Sequence, residues 1–170
     1  KKAIIAYQID EKEAYILDSV FTRTDNPVLQ GLISDFSSNS FLKQGQIYNQ
    51  DNITAERNRL EELLKNKGYY MFSKSYVNYI AYQDTAAKSI RLEQVIQKPT
   101  FKESHQVYTL DTIRLRINPP TDEFADRQIQ TQYQGIDFSF YRDRYSAKIL
   151  ASRIQMQKGK PYSRTEALET

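Results

Sequence analysis

Hydrophobic and polar positions along this chain follow two rhythms, and the rhythm changes at joints marked by asparagine, proline or glycine. Ala3–Ile9 is a short apolar run that reads as a strand, closed by the polar turn Asp10–Glu13. Tyr15–Arg23 alternates β-branched and aromatic residues with polar ones and predicts a second strand. Asn26 before Pro27 is a helix start, because asparagine caps well and proline has no N–H to leave unbonded. Val28, Leu29, Leu32, Ile33 and Phe36 then share one helical face, and Ser37–Ser40 ends it. Asn52 predicts the cap of a longer helix over Ile53–Lys67, with Ile53, Leu60, Leu63 and Leu64 on one side and Gly68 as its left-handed exit. Two strand-like runs follow, Tyr70–Tyr82 and Ser89–Lys98, joined by the turn Gln83–Lys88. The second places Ile90, Leu92 and Ile96 on one face, and Pro99 closes the unit.

This order is strand, helix, helix, strand, strand, so the expected class is α+β: two helices on one face of a small three-stranded sheet. The pattern then begins again. Tyr15-Ile-Leu-Asp-Ser-Val20 returns as Tyr108-Thr-Leu-Asp-Thr-Ile113, an offset of 93 residues, and Gly45-Gln-Ile-Tyr-Asn49 returns as Gly159-Lys-Pro-Tyr-Ser163, an offset of 114. Two matches in the same order point to a repeated module, with extra residues between the landmarks of the second copy. The polar stretch Asn118–Gly135, opening at Pro119–Pro120, is the expected place for them, giving an insertion near 118–141. In that copy Val107–Ile117 is the first strand, about Asp143–Ser152 the first helix, and Ser163 the cap of a second helix. The two closing strands are expected beyond Thr170. The expected domains are therefore 1–10, 11–99 and 100–170, the last an incomplete copy, and the whole reads as a piece of a longer protein.

Composition narrows the function classes. With 39% hydrophobic and 26% charged residues, the 170-residue chain can bury a core and is not disordered by composition. The net charge of +3 comes from 24 basic and 21 acidic residues spread over both halves, without the concentrated field that nucleic acid selects. There is no cysteine, hence no disulfide and no thiolate metal site. No apolar run is long enough for a membrane-spanning helix.

Candidate reactive groups read as ordinary ones. His105 is the only histidine and reads as a solvated side chain, since no second imidazole or thiol stands near it in sequence. Glu56, Glu61 and Glu62 lie among lysines and arginines on the long helix and read as an ion-paired solvated face; Glu56 and Arg57 also have the position to join helix to sheet or to a neighbouring module. The basic series Arg142, Arg144, Lys148, Arg153, Lys158, Lys160 and Arg164, diluted by Asp137, Asp143 and Glu166, reads as a solvated surface. No nucleophile–base pattern or phosphate-cradling loop is present, so no catalysis and no cofactor or metal are expected.

The residues Gly45-x-x-Tyr48-Asn49, Glu56-Arg57-x-Arg59-Leu60, Asn66-x-Gly68-Tyr69-Tyr70-x-Phe72 and Tyr82-x-Asp84-Thr85 together resemble POTRA, the polypeptide-transport-associated domains of BamA/TamA-like outer-membrane assembly factors. Gly159-x-x-Tyr162-Ser163 resembles the same stretch of a following domain. The resemblance implies tandem β-α-α-β-β modules with a mixed sheet. It also implies a periplasmic location in a Gram-negative bacterium, tethered to the outer membrane by a C-terminal β-barrel that this sequence does not include. Ala3–Ile9 then reads as the last strand of a preceding module. The implied partners are unfolded outer-membrane or exported polypeptides and accessory assembly proteins, with no nucleic acid. In the family's arrangement the strand after the second helix is a sheet edge, here about Phe72–Tyr82, to which an extended client adds as a further strand. Tyr70, Phe72, Tyr76, Val77, Tyr79 and Tyr82 are the expected binding edge and groove, with Tyr69 beside its entrance. The competing reading makes the tyrosines half-buried sheet residues and the modules spacers and docking platforms for accessory proteins.

Overall fold

The computed structural model describes residues 3–8, 10, 13–118, 128–141 and 145–169. They fold into two compact units, Lys1–Asn58 with Ser75–Gln97, and Arg59–Lys74 with Lys98–Thr170.

In the first unit, β1 (Ile16–Arg23) leads to α1 (Pro27–Asp35). The Asn26 side-chain oxygen accepts from the N–H groups of Val28 and Leu29 at 3.0 and 3.2 Å, as the asparagine–proline pair predicts. Helix α1 buries Leu29 and Ile33. Helix α2 (Gln50–Asn66) starts before the expected cap, because Asn49, not Asn52, accepts the Asp51 N–H at 2.8 Å. Strands β2 (Val77–Asp84) and β3 (Ser89–Ile96) form a hairpin, and Asp84 accepts from Ala86 and Ala87 in its turn. The sheet order is β1-β3-β2, with β1 parallel and β2 antiparallel to the central β3. The mixed α+β class is thereby observed. Leu17, Ile90 and Leu92 of the sheet pack with Leu42 and with Ile53 of α2.

Two expectations in this region are corrected. Residues 3–8 form no strand: Ile4, Ile5 and Tyr7 are exposed, since an apolar run becomes a strand only against a partner, and no pairing occurs among the described residues. Ile9 lies outside them. The run at Tyr70–Tyr82 is strand only from Val77. Before it, Tyr70 N–H bonds Gly68 O and Phe72 N–H bonds Tyr69 O, which curls the chain, and Lys74–Tyr76 is a 3-10 turn.

The second unit carries β4 (Ile113–Arg116), β5 (Gln128–Tyr133), β6 (Ile136–Tyr141), α3 (Ala147–Ala151) and α4 (Arg164–Leu168). Its sheet order is β4-β6-β5, again with the first strand parallel and the hairpin antiparallel. Much of the stretch expected as polar insertion is therefore sheet: residues 128–141 are a hairpin whose Ile129, Tyr133, Ile136, Phe138 and Phe140 enter a core with Ile113 and Ala151. Residues 119–127 and 142–144, including Pro119, Pro120, Arg142 and Arg144, lie outside the described residues. Ser163 caps α4 by accepting the Glu166 N–H, as expected.

The repeat is repeated in backbone hydrogen bonds. In the first unit Leu17 N–H donates to Gln46 O, Gly45 N–H to Leu17 O and Tyr48 N–H to Tyr15 O, at 2.7, 2.8 and 2.8 Å, with Ile16 bridging Ile47. In the second, Leu110 N–H donates to Lys160 O, Gly159 N–H to Leu110 O and Tyr162 N–H to Tyr108 O, at 2.8, 2.6 and 2.9 Å, with Thr109 bridging Pro161. Every partner is displaced by the two sequence offsets. Gly45 and Gly159 hold φ of +83° and +81°, the left-handed turn that each bridge needs and that glycine adopts without strain.

Candidate functional site

Among the described residues, β2 has one strand neighbour, β3, and so stands at an edge of its sheet. Which of its backbone groups face outward follows from register. Gln97 N–H donates to Tyr76 O at 2.8 Å, and Val77 is opposite Ile96, so the ladder bonds fall on Asn78, Ile80, Tyr82 and Asp84. Antiparallel alternation therefore directs the N–H and C=O of Val77, Tyr79, Ala81 and Gln83 away from β3. Burial falls along the strand: Val77 is buried, Asn78 and Tyr79 are half-buried, and Ile80–Asp84 is exposed.

The start of this edge is occupied by a helix side chain. Arg57 of α2 donates from Nε to the Val77 carbonyl at 3.0 Å, and its guanidinium carbon lies 5.3 Å from the Tyr79 ring centroid. Tyr79, on the core face, donates its hydroxyl to Gln94 at 2.8 Å, and Gln94 donates to Thr22 at 3.0 Å, tying all three strands. Glu56, read from sequence as solvated, is 2% exposed and accepts the Phe41 N–H at 2.9 Å, fixing the loop that precedes α2. The helical periodicity puts it beside Ile53 and Leu60 on the buried stripe, which a charge count conceals.

Tyr82 belongs to the opposite face. There its hydroxyl donates to Glu93 at 2.7 Å, Arg23 pairs with the same carboxylate, and Arg91 lies 5.2 Å from the Tyr82 ring and 6.0 Å from the Phe21 ring. The Arg23 hydrogen bond, then that of Tyr82, hold the Glu93 carboxyl below the usual range, and the same bond to Glu93 raises the Tyr82 hydroxyl. Phe21, Ile80 and Tyr82 remain between 41% and 44% exposed on this face.

Of the six expected site residues, the structure sets Tyr76, Val77, Tyr79 and Tyr82 in the first unit and Tyr70 and Phe72 in the second. Tyr79 and Tyr82 face opposite sides, and Val77 presents backbone rather than side chain. In the second unit, Tyr70 stands edge-on to Tyr108 and Tyr162, with centroids 6.0 and 4.9 Å apart. Phe72 is buried against the His105 ring at 4.9 Å, so His105 is half-buried packing and not a solvated side chain. Tyr69 is also buried there, which raises its hydroxyl. The Asn66 side chain accepts the Thr165 N–H at 2.9 Å, a second cap for α4. Lys148, Arg153, Lys158, Lys160 and Arg164 are exposed. Among the described residues no cluster of three or more metal-ligating acids and histidines forms, and no helix is long and apolar enough to cross a membrane.

Residues 22–98 match the family model for POTRA, described as a surface antigen variable number repeat. No curated protein matches the chain. Among solved structures, it is similar to POTRA domains 3–5 of BamA from Haemophilus influenzae, with 15% identity, a TM-score of 0.47, and coverage of 92% of this chain and 47% of that one. It is also similar to POTRA domains 1–3 of the periplasmic domain of Omp85 from Anabaena, with 10% identity, a TM-score of 0.36, and coverage of 94% and 83%. The chain thus spans about half the length of the BamA structure.

Proposed function

We propose, from the match of residues 22–98 to the POTRA family model, that this chain is a non-catalytic polypeptide-binding segment whose β2 edge takes extended chains as an added strand. The observation that carries the reading is the alternation at β2: Ala81 and Gln83 direct backbone donors and acceptors outward from an exposed strand end. Pairing through the main chain accepts many client sequences, which suits a receptor for unfolded outer-membrane or exported polypeptides. In this reading the segment works in the periplasm, tethered by a membrane barrel elsewhere in a longer chain. Residues 11–99 are one module and 100–170 the repeat of it.

The exposed Phe21, Ile80 and Tyr82 on the face opposite the helices favour a second role, docking of a folded accessory protein. The two roles separate in one experiment. A fluorescein-labelled, end-blocked peptide of alternating valine and threonine is titrated against the chain and against Ala81→Pro. Proline removes the outward N–H while sparing the ladder, so the peptide's affinity should fall about tenfold or more. Equal binding by the folded variant would refute the edge site.

A further inference from the structure

The β2 edge does not begin bare. Its first outward carbonyl, on Val77, already accepts from Arg57 Nε at 3.0 Å, and the guanidinium is held in place by the Tyr79 ring at 5.3 Å. A strand laid along β2 brings a backbone N–H toward Val77 O and finds that acceptor in use. What it meets there instead is a cation with further N–H donors in a fixed plane. Arg57 is half-buried and close to a sheet edge, and its two contacts there are with a neutral carbonyl and a neutral ring, neither of them a carboxylate. The edge residues it touches are Val77 and Tyr79, neither of them acidic.

We infer that Arg57 is a specificity-determining and register-setting residue: it ends backbone pairing at Val77 and selects an extended segment carrying a carboxylate opposite that position. This rests on the edge reading above. The ligand class is accordingly an extended polypeptide with an acidic side chain or terminal carboxylate at one end of its paired stretch. A carboxylate there accepts from guanidinium N–H groups other than the Nε–H given to Val77, a charge-assisted bond about twice as strong as a neutral one. The Val77 hydrogen bond and the nearby Tyr79 ring hold the guanidinium beforehand, so less side-chain entropy remains to be lost on binding.

The test uses the same labelled valine–threonine peptide in versions bearing Glu, Gln or Lys at one end, then at the other, against the intact chain, Arg57→Gln and Arg57→Lys. The expected result is a preference of about tenfold for Glu over Gln at one end only, with Lys weakest. Arg57→Gln should abolish the preference, and Arg57→Lys should restore part of it. Salt should weaken the Glu peptide alone. A purely structural role for Arg57 would change the affinity of all peptides equally, and that outcome overturns the inference. Peptides that bind without any charge preference overturn it too, while leaving the edge site standing. If no peptide binds the intact chain, the edge reading itself fails. Circular dichroism melting of both variants confirms that each is folded before titration.

Discussion

Gly68→Ala is expected to destabilise the chain by about 2–4 kcal/mol, the sum of a left-handed backbone penalty and overpacking. Gly68 holds φ at +93°, and a Cβ there would lie 2.6 Å from Val107 Cγ1 and 3.2 Å from Pro161 Cβ. The backbone beside these neighbours is held, because the Gly68 carbonyl accepts the Tyr108 N–H at 2.8 Å and Tyr162 N–H is bonded to Tyr108 O, so the Val107 side chain must give way. Gly45→Ala and Gly159→Ala separate the two causes. Both glycines have positive φ but nothing within 4 Å of the added Cβ, so each variant should lose only the backbone penalty, about 1–2 kcal/mol. Urea denaturation of the three variants measures the difference. A Gly68→Ala midpoint equal to that of Gly45→Ala would mean that no close approach exists at the helix exit.

The second large effect is expected from Tyr82→Pro, with Ala81→Pro as its neighbour. Tyr82 is opposite Arg91 at a bonded position of the ladder, so proline deletes an inward N–H from the β2–β3 pair. It also removes the hydroxyl donated to Glu93 and the ring beside Arg91. A loss of about 2–3 kcal/mol follows from the unmade ladder bond and the lost bond to Glu93, a large share of a small domain's stability. One residue earlier, Ala81 is exposed and its N–H points away from β3, so Ala81→Pro should cost less than about 1 kcal/mol. Thermal melts of the pair report the register of β2 directly. Reversal of the order would place the strand one residue out of register.

Much of this fold was legible where one local rule decides the outcome. Asn26–Pro27 marks a helix start whatever surrounds it, and the paired motifs at Tyr15 and Gly45 carry their own hydrogen-bond partners, so their copies at Tyr108 and Gly159 rebuild the same bridge. Where a distant partner decides, the pattern misled. Ala3–Ile9 has strand composition, yet residues 3–8 pair with nothing described. Gln128–Tyr133 looks like polar linker because glutamines occupy its outer face, while Ile129 and Tyr133 reach the core only once β6 lies beside them. Asn49 and Asn52 stand one helical turn apart and both are competent caps, so spacing could not choose. At the candidate site, the tyrosine-rich run drew attention to rings, whereas the geometry turns on backbone at Ala81 and Gln83 and on Arg57, whose contact with Val77 O depends on tertiary packing.

The most direct test is amide hydrogen exchange, residue by residue, with and without the end-blocked valine–threonine peptide. An added strand should protect the Ala81 and Gln83 amides, while those of Ile80 and Tyr82, already bonded to β3, change little. Protection of neither outward amide by a peptide that demonstrably binds, or equal changes at all four, would contradict strand addition at β2.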